Sequence, residues 1–217
     1  MSRQHGETTT MKTLYIFLTR SGTLLSNLVY RLTGAQYTHI SLAFDEDLST
    51  LYSSTRKNGY TMFPAGPSRE YLNRGVFLMR ENIPCALYEL EVTDEAYIRA
   101  KRRTQHMMHH GELYRFNSLG LLLCWMHIRW QRRRHYFCSQ FVSEVLQKSG
   151  ALDLPKPSTL MHPSDYAELP QLRCLYRGTL ADLPQRQGME MGEVESVMGL
   201  YLSVLLGAVR GGVRHLF

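Results

Sequence analysis

Between residues 14 and 54 the chain changes its hydrophobic period, and that change commits it to a sheet. Leu14, Tyr15, Ile16, Phe17 and Leu18 form a continuous apolar run rich in aromatic and β-branched side chains. A run of that length and composition reads as a buried strand. From Tyr37 the pattern alternates instead, with Ile40, Leu42 and Phe44 on one side and His39, Ser41 and Ala43 on the other. A period of two is that of a strand. The polar Asp45-Glu46-Asp47 turn and a returning strand over 50–54 complete a β-hairpin that carries a histidine on its smaller, more polar face.

Helical signals lie around this sheet. Ser21-Gly22-Thr23 breaks the first strand, and Thr23 can cap a helix over 24–32 that ends at Gly34. Pro64, Gly66 and Pro67 mark 55–74 as a loop, and further strands are expected over 76–79 and 86–92. Thr93 can cap a helix running from Asp94 to Leu113. In the stretch Tyr-Phe-Cys138-Ser-Gln-Phe-Val-Ser-Glu-Val-Leu, Phe141, Val142, Val145 and Leu146 recur at helical spacing, and Gly150 stops the helix. A short helix over 164–169 and a last strand over 172–176 follow. The expected class is α+β, an antiparallel sheet packed on the helix that begins at Cys138.

The division of the chain is a polar leader over 1–10, a globular part over 11–186 and an apolar tail over 187–217. In that tail Met198, Tyr201, Leu202, Leu205 and Leu206 form a stripe followed by Arg210, Arg214 and His215. An apolar helix with basic ends suits a membrane surface or a protein partner, through residues 194–210. The stripe is too short to span a bilayer, which needs about 20 apolar residues.

Four cysteines stand far apart with no CxxC pair, so neither a zinc ribbon nor a disulfide framework is indicated. With no signal peptide at the start, a cytoplasmic location is expected, peripheral to a membrane if the tail binds one. The formal charge of +6 permits an anionic partner without selecting one. His106, His109 and His110 share a helix without a completing ligand, so no metal and no cofactor is expected. The run Arg129–Arg134 reads as a solvated loop rather than a nucleic-acid surface.

Cys138 is the candidate nucleophile. It sits at the first turn of a helix, where the dipole stabilises a thiolate, and cations at 132–135 approach it. Taken with the earlier Tyr-Thr-His39-Ile-Ser-Leu-Ala-Phe strand, the Tyr-Phe-Cys138-Ser-Gln-Phe-Val-Ser-Glu motif resembles the circularly permuted papain-like hydrolases. These include the NlpC-type cell-wall peptidases, the YiiX-like amidases and the lecithin–retinol acyltransferase group. The order, histidine strand before cysteine helix, is that of the permuted members, and the resemblance spans residues 11–180.

The resemblance implies a permuted papain-like fold and a thioester mechanism in which His39 takes the proton of Cys138. It also implies a third polar residue on the strand after the histidine. A two-residue hairpin loop places Ser54 there and a three-residue loop places Ser53; the Leu-Tyr-Ser frame favours Ser53. Tyr37, Arg134 and Ser139 are candidates for holding the substrate or its oxyanion. The substrate expected is a peptide, isopeptide or cell-wall-type amide. A lipid-directed acyltransferase on an acyl-lipid and a non-catalytic binding module on the same fold are the alternatives.

Overall fold

The computed structural model describes residues 10–20, 30–31, 34–57 and 65–192. Most of the expected helix over 24–32, nearly all of the leader and the apolar stripe of the tail lie outside the described residues.

The expected α+β class is observed. The main sheet has six strands: β1 (Met11–Thr19), β2 (His39–Ala43), β3 (Leu51–Arg56), β4 (Ala65–Glu70), β5 (Pro84–Thr93) and β8 (Arg173–Thr179). They lie in the order β4-β3-β2-β1-β5-β8, and every pairing is antiparallel. The apolar run puts β1 at the centre, between β2 and β5, with Leu18 opposite Ile40 and Ile16 opposite Tyr88.

Both faces of β1 are covered, which explains why its sequence does not alternate. On one side Leu14, Ile16 and Leu18 join Ile40 and Leu42 against Phe141, Val142, Val145 and Leu146 of α4 (Cys138–Ser149). On the other, Tyr15 and Phe17 pack with Ala43, Leu51, Leu72, Phe77 and Leu87. Helix α2 (Asp94–His109) begins at Thr93, whose hydroxyl accepts the Ala96 N–H at 3.2 Å. It ends four residues short of Leu113, where the chain makes a 3-10 turn, Gly111–Leu113.

Two local expectations fail for identifiable reasons. Residues Val76–Met79 form a short helix, α1, rather than a strand. Four apolar residues carry too little periodicity to decide, and Gly75, at φ 61°, turns the chain into the helix. Within the stretch read as loop, Ala65–Glu70 is a strand despite Gly66 and Pro67. It is an edge strand, where a proline removes no required ladder bond. Gly66 is there because a Cβ would come within 3.2 Å of the Tyr114 carbonyl oxygen.

Beyond α2 the chain makes β6 (Arg115–Phe116), α3 (Ser118–Trp125) and β7 (His135–Tyr136), and β6 and β7 pair in parallel. β7 leads directly into α4, which closes at Gly150 in the left-handed region, φ 74°. Residues Ser158–Leu160 and Pro163–Glu168 are 3-10 turns, and the last strand runs to Thr179. Phe141 is fully buried between α4 and the sheet. Phe141→Ala should therefore lower the unfolding free energy by about 3–5 kcal/mol, read from urea denaturation at neutral pH.

Candidate active site

The start of α4 is built to leave charge uncompensated. Its N-cap is Phe137, which has no side-chain oxygen to offer, and the first turn contains no acidic residue. The positive end of the helix is therefore directed at whatever lies over Cys138. The thiol is largely buried and lies close enough to His39, the first residue of β2, to raise the pKa of the imidazole.

The other side of the imidazole is held by a carboxylate. His39 Nε2 lies 2.9 and 3.1 Å from the two oxygens of Glu70, the last residue of β4. Ser41, two residues along β2, donates its hydroxyl to Glu70 Oε2 at 2.6 Å and stands 3.3 Å from Nε2. With Nε2 bonded to Glu70, Nδ1 is the ring nitrogen left to serve the sulfur. The His39 and Glu70 side chains are 13% and 16% exposed, so water screens the pair little.

That geometry sets the protonation state. Burial by itself would lower the pKa of His39. The Glu70 charge, the hydrogen bonds from Cys138 and Glu70, and the charge of Cys138 outweigh it and carry His39 from 6.5 up to about 10. The imidazole is thus held as an imidazolium through neutral pH.

The third residue sits on a different strand from the expected one. Residues 44–50 connect β2 to β3, so the hairpin loop has neither two nor three residues, and Leu42 pairs with Tyr52. Ser53 donates its hydroxyl to the Ile40 carbonyl at 2.7 Å, and Ser54 donates to the Tyr136 carbonyl at 2.6 Å. Both are structural anchors, and Ser54 ties β3 to the strand that delivers Cys138. Glu70 had no sequence signal, because its segment carries Pro64, Gly66 and Pro67 and reads as loop. Ser41 had one: it shares the alternating face with His39.

The substrate candidates also resolve. Tyr37 is buried, its N–H bonded to the Ser164 hydroxyl at 3.0 Å, and its own hydroxyl has no hydrogen-bond partner among the described residues. Burial raises its pKa, and the charged groups acting on it are Arg177, Tyr88, Cys85 and Cys174, all on β5 and β8. It packs into the same core cluster as Cys138. Ser139 donates to the Met161 carbonyl at 2.6 Å, holding the 158–162 segment on α4. Arg134 adopts φ 59° in the turn before β7, with its carbonyl accepting the Arg115 N–H and its side chain exposed. The backbone amides of the first turn of α4, beside Cys138, are the candidate oxyanion donors among the described residues.

The remaining thiols have different surroundings. Burial pushes Cys85 and Cys124 up to about 12, which keeps both protonated. Cys124 Sγ lies 3.7 Å from His162 Nε2, but burial lowers the pKa of His162, so that contact joins two neutral groups. Cys174 is exposed on β8. Among the described residues no cluster of three or more His, Cys, Asp or Glu side chains is placed to hold a metal, and the His110 ring lies against those of His106 and His109. No helix among them is long and apolar enough to cross a membrane.

Compared with known proteins, the chain matches no family model, no curated protein and no solved structure.

A raised histidine pKa contributes stability that is fully present below about pH 6.5 and is lost as pH rises toward the folded value. In Cys138→Ala, where the thiol's own titration is removed, the unfolding free energy should fall with pH above 6.5. Adding Glu70→Gln should flatten that fall. Equal slopes for the two proteins in parallel denaturation series would show that Glu70 does not hold the proton.

Proposed function

We propose that this chain is a thiol hydrolase of the permuted papain-like type, cleaving an amide bond through an acyl-enzyme on Cys138. The observation that supports the reading most is the continuous line from Glu70 through His39 to a cysteine at an uncapped helix N-terminus. An imidazolium beside a sulfur favours the thiolate, which is the nucleophile.

In the first half-reaction the Cys138 thiolate adds to the substrate carbonyl, and the oxyanion is met by the N–H groups of the first turn. His39 then gives its proton to the leaving nitrogen as the C–N bond breaks, leaving a thioester and a free amine. In the second half, neutral His39 takes a proton from water and hydroxide adds to the thioester. The carboxylic acid departs and the thiolate–imidazolium pair returns. Glu70 keeps the ring oriented and stabilises the imidazolium without itself accepting the proton. An amine leaves only when protonated, so a histidine held charged at neutral pH suits an amide better than an ester. The alternative of a non-catalytic module drew on a serine in the third position, whereas the residue beside His39 is a carboxylate.

Iodoacetamide at pH 6 should label Cys138 at least about tenfold faster than free cysteine, with His39→Ala and Glu70→Gln both losing most of that advantage. With p-nitrophenyl acetate, intact mass spectrometry should show an acetyl adduct that Cys138→Ala abolishes. Labelling at the rate of an ordinary thiol, unchanged in His39→Ala, would refute the activated pair.

A further inference from the structure

One stretch beside the site has a surface that the proposed chemistry does not use. Helix α3 buries Gly120 and Cys124 on its inner side and turns Leu119 and Leu122 outward. Met126 and Ile128, past the helix, and Leu113, in the preceding turn, are exposed as well. These five side chains are each between 46% and 52% exposed. Soluble surfaces scatter such residues singly; here they are collected in sixteen consecutive positions, 113–128.

The charge of the same stretch is one-sided. Residues 113–137 contain no Asp or Glu but five arginines, Arg115, Arg129, Arg132, Arg133 and Arg134, all exposed. Among the described residues none of the five makes an ion pair. The fold brings them together, because β6 pairs with β7 and the Arg115 N–H bonds the Arg134 carbonyl at 3.0 Å.

We propose that α3 and the 126–134 loop form an interfacial docking surface for bilayers carrying anionic phospholipid. Aliphatic side chains entering the headgroup boundary, rimmed by guanidinium groups, are the composition such surfaces use. A nucleic acid would take the arginines and has a ring to stack on in Trp125, 36% exposed, but has no use for the larger aliphatic surface of Leu119, Leu122, Met126 and Ile128. The chain's own tail is poorly suited to cover the face, since its apolar stripe ends in Arg210, Arg214 and His215 and would set cation against cation. Three residues separate Arg134 from Cys138, at most about 14 Å of extended chain, so docking would bring the nucleophile close to the bilayer. The surface is independent of whether Cys138 turns over.

The test is co-sedimentation of the full chain with phosphatidylcholine vesicles, with and without phosphatidylserine. The wild type should partition only onto the anionic vesicles, and less as salt is raised. Arg132→Gln/Arg133→Gln/Arg134→Gln should weaken partitioning roughly a hundredfold, at about fivefold for each arginine. Leu119→Ser/Leu122→Ser should weaken it at least about tenfold with an unchanged circular-dichroism spectrum and unchanged iodoacetamide labelling. Three results would overturn the proposal. One is no binding to either vesicle; a second is equal binding by wild type and both variants. The third is loss of binding in Leu202→Ser/Leu205→Ser alone, which would assign the contact to the tail.

Discussion

The contact between Glu70 and His39 is the one on which the chemistry of the fold depends. A histidine placed this deep would ordinarily be neutral, because burial penalises the charged form. The carboxylate from β4 reverses that outcome, and Ser41 fixes the carboxylate in turn. Sheet and helix then play separate parts. The sheet delivers a protonated imidazole from β2 and its counter-charge from β4; α4 delivers a sulfur at a positive helix end. Neither half is useful without the other, and the Phe141–Leu146 face of α4, packed on β1 and β2, holds them in register.

The same physics separates the four cysteines. Cys85 and Cys124 are as buried as Cys138, and for them burial acts almost alone and keeps the proton on sulfur. Cys124 even has a histidine within 3.7 Å, yet His162 is shifted toward its neutral form. A carboxylate acts on both imidazoles, but Asp165 is paired with Lys156 and accepts the His162 backbone N–H, whereas Glu70 bonds the His39 ring itself. A thiol and an imidazole in contact are common; a thiol, an imidazole and a desolvated carboxylate in line are not.

Much of this could be read from the residues in order, and what could not follows a pattern. Cys138 and His39 were legible because each sits in a strong local signal: a helical apolar stripe opening on a cysteine, and a period-two strand carrying a polar residue. The burial of β1 was legible from Leu14–Leu18, though not its place at the centre of the sheet. Glu70 was hidden because an edge strand tolerates Gly66 and Pro67, residues that elsewhere signal a loop. Ser53 and Ser54 drew attention through hairpin arithmetic, which fails when the loop is seven residues long rather than two or three. The short helix at Val76–Met79 was hidden because four apolar residues look alike in either conformation. Long-range partners were missed wherever local pattern carried no information about them.

The parallel pairing of β6 with β7 has a consequence for how such a protein can vary. Arg115 and Phe116 lie against His135 and Tyr136, so the segment between them departs and returns at one point, while Cys124 packs against His162 and Gln131 accepts a hydrogen bond from Gln140 of α4. A segment pinned at its base in this way can lengthen or shorten cheaply, since doubling a loop costs only about 0.6 kcal/mol of closure entropy. The clasp ends one residue before the N-cap of α4, so remodelling that keeps the Asn117 and Gln131 bonds to Gln140 need not disturb Cys138. The 117–134 excursion is therefore a natural cassette, a place where evolution or an engineer could exchange what the body of the protein is addressed to while keeping Glu70, His39 and Cys138 together.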